Sequence, residues 1–294
     1  MSFVRNATRV LPLDVAVAGR KLNALFRILD PLFRASTRND VIETQWGPLA
    51  LDGDHAPERV LSYLFYNVSR YYEKSELGRY IARVAEPGAT FVDIGANLGF
   101  YALVARRYGF NTVVVEPEPR HSAFLLRNEH AFGKVLPIAF SDRAGALPLY
   151  YEPHNHSGAT SLFPAPSYVR SEDKVPVHTF SEVAARGDLG DVSKIRLIKI
   201  DVEGLEAEVV AGMVDALRTG WRPHVWCEVR GDRSGRNGGS YRRVRETLSA
   251  FGYVARELKN GRDVTLDEQD LAQRTVFDLL FTPDAGDSPT GVRQ

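Results

Sequence analysis

One segment restricts this chain more than any other: FVDIGANLGFYALVAR, residues 91–106. Phe91-Val92-Asp93-Ile94 reads as a buried strand, Gly95, Asn97 and Gly99 form a turn, and helical spacing begins near Leu98. Gly95 and Gly99 allow the backbone to approach a ligand that a β-carbon would exclude. The start of the helix presents free amide donors. The next apolar run, Val113-Val114-Val115, ends on Glu116, and Pro117 and Pro119 open the helix after it. An acid about 20 residues beyond a glycine turn is placed to accept hydrogen bonds from both ribose hydroxyls. The series of strand, turn, helix, strand and acid therefore predicts a nucleoside site.

The rest of the chain repeats the rhythm. Apolar, β-rich runs at 90–94, 112–116, 134–140, 195–200, 223–229, 253–258 and 276–282 alternate with helical spacing at 98–108, 119–132, 204–219 and 240–251. Such alternation predicts an α/β fold, a Rossmann-like, mainly parallel seven-stranded sheet with helices on both faces. The run 276–282 follows 253–258 without a long helix between them, so it is expected to return antiparallel. Residues 141–194 break the pattern with a hairpin-like stretch around Leu147–Tyr151, a loop over 152–167 and a strand and helix over 175–187. The expected division is an N-terminal extension over 1–86, a nucleoside-binding domain over 87–283 and a disordered tail over 284–294. Within the extension, 41–51 reads as two short strands about a Gly47-Pro48 turn, and 57–86 as helical.

Composition narrows the classes. The 294 residues carry 37 Lys plus Arg and 37 Asp plus Glu, so the formal charge is zero. This balance lacks the basic footprint of a nucleic-acid binder. The single cysteine, Cys227, excludes a disulfide within the chain and a cysteine-built metal site, and fits a reducing, cytoplasmic setting. No apolar run reaches the length of a membrane span. Near the N-terminus, Ala16-Val17-Ala18 has the small-residue look of a signal cleavage site, but Pro12 and Asp14 interrupt the apolar core that such a signal needs. Leu22, Leu25, Phe26, Leu29, Leu32 and Phe33 form a helical stripe. Its first reading is a helix docked on the main domain. Peripheral membrane contact through 10–35 and a homodimer surface within 1–86 stay open beside it.

The identity of the nucleoside follows from what is missing. The turn Gly95-Ala96-Asn97-Leu98-Gly99 lacks dinucleotide G-x-G-x-x-G spacing, and the chain has no G-x-x-x-x-G-K-S/T loop. A ligand without a pyrophosphate, such as S-adenosylmethionine, suits this turn. FVDIGANLGFYALVAR, VVVEPEP (113–119), AFSDRAG (139–145), VPVHTFSEV (175–183) and IRLIKIDVEGLEAEVVAGM (195–213) together resemble the FkbM family of methyltransferases, over about 72–230. The resemblance implies a class I methyltransferase fold, S-adenosylmethionine as donor, and a hydroxyl of a sugar, glycolipid or natural product as the usual acceptor. It also implies a donor site of Asp93, Gly95, Asn97, Gly99, Glu116 and Pro117, with Ser141 and Asp142 near the adenine and Asp201 near the methyl donor.

A sugar hydroxyl is a poor nucleophile, and a base would assist it. Asp201 and Glu203 follow the 195–200 strand, and Glu228 ends a neighbouring one. Asp201 or Glu203 is the candidate base. Alternatively, the three carboxylates hold a divalent cation, or Asp201 and Glu203 cap the helix starting near Leu205. In the loop 152–161, His156, and less so His154, is a further candidate for proton transfer or substrate contact, while His178 reads as structural. Arg230, Arg233 and Arg236 flank the glycine-rich stretch 231–240, either gripping an anionic acceptor or lying on a solvated loop. Four functions compete: O-methylation of a small-molecule or glycoside acceptor, N- or protein methylation, a nucleoside-binding module without turnover, and a dehydrogenase, which the glycine spacing disfavours.

Overall fold

The computed structural model describes residues 41–44, 47–50, 71–151, 160–162, 164, 168–231, 239–264, 271 and 274–284. The stripe at 22–33, residues 51–70, the 152–159 loop, residues 232–238 and the tail from 285 lie outside them.

In chain order, β1 (Val41–Thr44) and β2 (Gly47–Ala50) form an antiparallel pair. Gly47 and Pro48 therefore lie in the second strand, with the connection at 45–46, which corrects the turn expected at Gly47-Pro48. Proline is tolerated there because the strand belongs to a two-stranded ribbon, where one edge needs no ladder donor. Helices α1 (Tyr71–Lys74) and α2 (Glu76–Val84) follow, the second capped by Ser75, whose hydroxyl accepts from Gly78 N at 3.0 Å. Then come β3 (Thr90–Ile94), α3 (Phe100–Arg107), β4 (Asn111–Val115), α4 (Pro119–Arg127), α5 (Glu129–Phe132) and β5 (Lys134–Leu136).

The single strand expected at 134–140 is two. After β5 the chain leaves the sheet, and β6 (Ala139–Phe140) pairs with a second sheet built from β7 (Gly145–Tyr151), β8 (Thr160–Ser161) and β9 (Val169–His178). Pro137 lies between the two pieces and removes a ladder donor. The chain returns through α6 (Phe180–Ala185), β10 (Ile195–Ile200), α7 (Glu206–Gly212), α8 (Val214–Arg218), β11 (His224–Arg230), α9 (Tyr241–Ser249), β12 (Tyr253–Lys259), β13 (Arg262–Val264) and β14 (Val276–Pro283).

The main sheet runs β13-β12-β14-β11-β10-β3-β4-β5. Strands β5, β4, β3, β10 and β11 are parallel, and β14 inserts antiparallel between β11 and β12, as expected of a connection without a long helical run. The sheet has eight strands among the described residues, not seven, because β13 hairpins back onto β12. This is the mainly parallel, Rossmann-like sheet that the alternation of strands and helices predicted.

Period-two alternation sorts the strand residues between the faces. Val92, Ile94, Ile198 and Ile200 pack against Phe180, Val209 and Met213. Phe91 and Leu197 pack with Leu77, Ile81 and Val104 on the opposite face. Helix α2 thus belongs to the core of the sheet, although residues up to 86 were expected to form an extension. Leu49 of β2 joins Ala102, Leu125 and Phe132, and Ala50 N donates to Asn128 Oδ1 at 2.7 Å. Strands β3 and β10 are neighbours although β4 follows β3 in the chain, so the strand order reverses between them. A crevice is expected at the carboxyl ends there.

Candidate active site

A cleft of about 700 Å³, including its open mouth, occupies that position. Its floor is Ile94, Gly95 and Asn97 after β3, Val115, Glu116 and Pro117 after β4, and Asp201, Val202 and Glu203 after β10. Ile138, Ala139 and Phe140 form an apolar wall, and Leu149, Thr160 and Leu162 of the second sheet face the same space. Ser161 Oγ donates to Glu203 O at 2.9 Å, which ties this insert to the loop after β10.

The turn after β3 is fixed by contact. Gly95 has φ +73, and a β-carbon there would stand 1.8 Å from Asp201 O. Gly99 has φ +75, and a β-carbon would meet the Phe132 ring at 2.6 Å. Between them Asn97 holds φ 51, and its N–H donates to Glu116 Oε2 at 2.7 Å. The other oxygen of Glu116 accepts from Glu118 N at 2.9 Å. Each carboxylate oxygen keeps a second lone pair for a ligand. Burial pushes the Glu116 carboxyl up to about 7, against the two backbone donors that favour the ionised form. His121 also lines the cleft, and burial lowers its pKa, so it is neutral at pH 7.

Asp93 is set back from the cleft. It shares the Phe91 face of β3, and its Oδ1 lies 3.3 Å from Lys199 Nζ on β10. The same ammonium is 3.3 Å from Asp201 Oδ2 and donates to Gly95 O at 3.0 Å. Burial alone would lower this lysine, but the Asp201 and Asp93 carboxylates more than offset it and keep it charged. The sequence reading passed over Lys199. Its signal was a lysine between Ile198 and Ile200 in a strand expected to be covered on both faces, where a charge needs a partner. His121, Leu149, Thr160 and Leu162 were missed as well, the last three because nothing in their local pattern says that the insert returns over the cleft.

Asp201, Glu203 and Glu228 converge as their strand positions implied, and their carboxylate oxygens lie within 4.8 Å of one another. Burial, and then the charges of Asp201, Glu203 and Asp278, push Glu228 up to about 8. Glu203 is bound by the buried Arg230 guanidinium, which supplies a cation on that side. Neither Asp201 nor Glu203 caps the following helix. The N-cap of α7 is Leu205, with no side-chain cap, and Glu206 reaches back to Gly204 N at 2.7 Å. The strained residue Glu203 (φ 56) and Gly204 (φ 116) turn the chain before the helix begins, which carries both acids away from its first amides.

Ser141 and Asp142 lie beyond the apolar wall. Ser141 N donates to His178 O in the second sheet at 3.0 Å, and its hydroxyl donates to Asp142 Oδ1 at 3.2 Å. Gly99 is set back against Phe132 and Leu125. His154, His156, Arg233 and Arg236 fall outside the described residues. Among those residues, no helix is long and apolar enough to cross a membrane.

The chain is similar to several known proteins. The hexuronic acid methyltransferase AglP of Haloferax volcanii is 30% identical over 148 residues, which are 48% of this chain and 56% of that protein. The match thus spans little more than half the length of the curated relative. Among solved structures, the precorrin-6y C5,15-methyltransferase of Geobacter metallireducens aligns with a TM-score of 0.37 at 11% identity, covering 74% of this chain and 92% of the other. Aeropyrum pernix fibrillarin in complex with natively bound S-adenosyl-L-methionine aligns with a TM-score of 0.36 at 13% identity, covering 69% and 73%. The methyltransferase FkbM domain matches residues 93–255, more than half the chain and the whole stretch from the glycine turn to β12, and the chain belongs to that family.

Proposed function

We propose that this protein is an S-adenosylmethionine-dependent methyltransferase that methylates a hydroxyl of a sugar, glycolipid or natural product. The observation that carries the reading is one cleft with Glu116 at one end, Asp201 at the other and the Gly95–Asn97 turn between them. Adenine suits the apolar wall of Ile138, Ala139 and Phe140. The ribose hydroxyls suit the open lone pairs of Glu116, and the methionine chain would cross the turn towards Asp201. The sulfonium supplies an activated methyl, which an acceptor oxygen takes by in-line displacement. The protein then has three tasks. It aligns the hydroxyl, excludes water beneath the insert of Leu149, Thr160 and Leu162, and receives the hydroxyl proton on a carboxylate. Asp201 is assigned that last role: Lys199 holds its Oδ2, and Oδ1 is the oxygen left to take the proton. A sugar acceptor is supported by the sequence similarity to a hexuronic acid methyltransferase.

The test begins with calorimetric titration of S-adenosylhomocysteine, followed by an acceptor screen starting from glycosides and glycolipids. No binding would end the donor reading. Binding without turnover on any acceptor would leave a nucleoside-binding module. With an acceptor in hand, Asp201→Asn is expected to lower kcat by about a hundredfold or more while S-adenosylhomocysteine affinity stays within about threefold. Unchanged kcat at saturating donor would remove Asp201 from proton transfer. Exhaustive chelation is expected to leave turnover within about twofold. A loss restored by Mg²⁺ would instead give the Asp201, Glu203 and Glu228 carboxylates to a cation.

A further inference from the structure

Lys199 sits in a position that needs a reason. It lies in the middle of the sheet, 5% exposed, where an ammonium is costly unless fully partnered. Three oxygens surround its ammonium: Asp93 Oδ1 and Asp201 Oδ2 as ion pairs, each at 3.3 Å, and Gly95 O, which accepts a hydrogen bond at 3.0 Å. The Tyr101 ring centroid, 5.9 Å away, closes the side towards α3. Asp93 Oδ1 is buried and makes no hydrogen bond of ordinary geometry, so the ammonium is its compensating charge. A lysine that served only the packing of β3 on β10 would need Asp93 alone. This one also holds a backbone carbonyl of the glycine turn and the carboxylate that enters the cleft.

We propose that Lys199 is a positioning residue of the donor site, its ammonium pinning the Gly95 carbonyl and the Asp201 carboxylate to one point at the methyl end of the cleft. The inference rests on the donor reading above. Asp93, Lys199 and Asp201 together carry one net negative charge, and its location is set by the ammonium. A cationic sulfonium beside Asp201 senses where that charge stands, and its demethylated product, which is neutral at sulfur, does not. The pinned carboxylate therefore contributes to the preference for donor over product, and releasing it weakens the donor selectively.

The experiment measures the ratio of S-adenosylhomocysteine to S-adenosylmethionine dissociation constants by calorimetry. Lys199→Met alone leaves Asp93 and Asp201 facing each other without a cation and is expected to unfold or melt far lower. Lys199→Met with Asp93→Asn removes one charge of each sign, so the net charge of the cluster is unchanged and the fold is expected to survive. In this double variant the ratio is expected to fall at least threefold towards the product, since the same charge is present but no longer held. A ratio equal to that of the unaltered protein, whether both affinities drop together or neither moves, would overturn the proposal and leave Lys199 a structural strut. Asp93→Asn alone keeps the ammonium on Asp201 and Gly95 but cancels the net negative charge of the cluster, so it reports the effect of charge, and its ratio is expected to fall less than that of the double variant. A fall in Asp93→Asn as large as in the double variant would mean that net charge, not position, sets the ratio and would overturn the proposal; if the double variant does not fold, Lys199→Gln with Asp93→Asn, whose amides can pair, carries the same comparison. If the unaltered protein binds neither ligand, the donor reading itself fails and this inference goes with it.

Discussion

Glu116→Ala is expected to weaken S-adenosylhomocysteine binding at least a hundredfold. The ribose would lose two hydrogen bonds to a charged acceptor, each worth roughly 1.5–3 kcal/mol, and about 1.4 kcal/mol is a factor of ten in affinity. The turn loses as well, because Asn97 N and Glu118 N both donate to this carboxylate. Glu116→Gln separates the two effects of charge and shape. An amide has one acceptor oxygen, so one of these backbone donors would face an NH₂ group, and binding is expected to weaken even though the side chain has the same size. The pH dependence is a sharper test. Burial raises this carboxyl from 4.5 to about 7, so between those values the folded protein keeps a proton that the unfolded chain has lost. The unliganded protein therefore loses stability as pH climbs through that window. Binding of the ribose by the ionised form works in the opposite direction. Affinity is expected to rise about tenfold per pH unit up to about 7 and to level off above it. Titrations at pH 5.5, 6.5, 7.5 and 8.5 would show this, and Glu116→Gln should flatten the profile. Folded Glu116→Ala that binds within threefold of the unaltered protein would remove Glu116 from the ribose.

The parts of the site that were legible in the sequence are those that local pattern dictates. A glycine turn after an apolar run and an acid after the next run place Gly95 and Glu116 on adjacent strand ends, because parallel pairing of β3 with β4 leaves no other arrangement. The convergence of Asp201, Glu203 and Glu228 was readable for the same reason. The antiparallel β14 was readable because no long helical run separates it from the 253–258 strand. What could not be read depends on contacts distant in the chain. The split of 134–140 is decided by β9, which takes β6 into the second sheet. The roof over the cleft depends on Leu149, Thr160 and Leu162, whose apolar or small side chains carry no mark of a binding role. Asp93 looked like part of the donor motif because it precedes the turn, yet alternation along β3 turns it to the Lys199 face. The capping reading of Asp201 and Glu203 failed for a related reason. The helix starts within one residue of the expected Leu205, but the left-handed residues Glu203 and Gly204 turn the chain just before it and leave Leu205 at the N-cap.

Gly95→Ala and Gly88→Ala form a matched pair whose difference isolates the close approach of β3 to β10. Both glycines have a left-handed backbone, with φ +73 and +82. A side chain in that conformation costs of order 1 kcal/mol at either position. At Gly88 a β-carbon meets nothing within 4 Å, so this backbone cost is the whole expected effect. At Gly95 the β-carbon would stand 1.8 Å from the Asp201 carbonyl oxygen, and both partners are backbone. No rotamer can relieve that contact. The ends of β3 and β10 must separate, which breaks the hydrogen bond from Asp201 N to Ile94 O, now 3.1 Å, and pulls the Gly95 carbonyl from Lys199. Overpacking of this kind adds roughly 1–3 kcal/mol or more to the backbone term. With about 2–4 °C of melting temperature per kcal/mol in a chain of this size, Gly95→Ala is expected to melt roughly 5–15 °C lower and Gly88→Ala only about 2–4 °C lower. The functional contrast should be larger still. Gly88→Ala should bind S-adenosylhomocysteine normally. Gly95→Ala, measured below its own melting temperature, should show no detectable binding, because the displaced turn carries Asn97 away from Glu116 and moves Asp201 with it. Equal melting temperatures for the two variants, or binding by folded Gly95→Ala, would mean that the strand ends yield easily and that the glycine is not what brings Glu116 and Asp201 to one cleft.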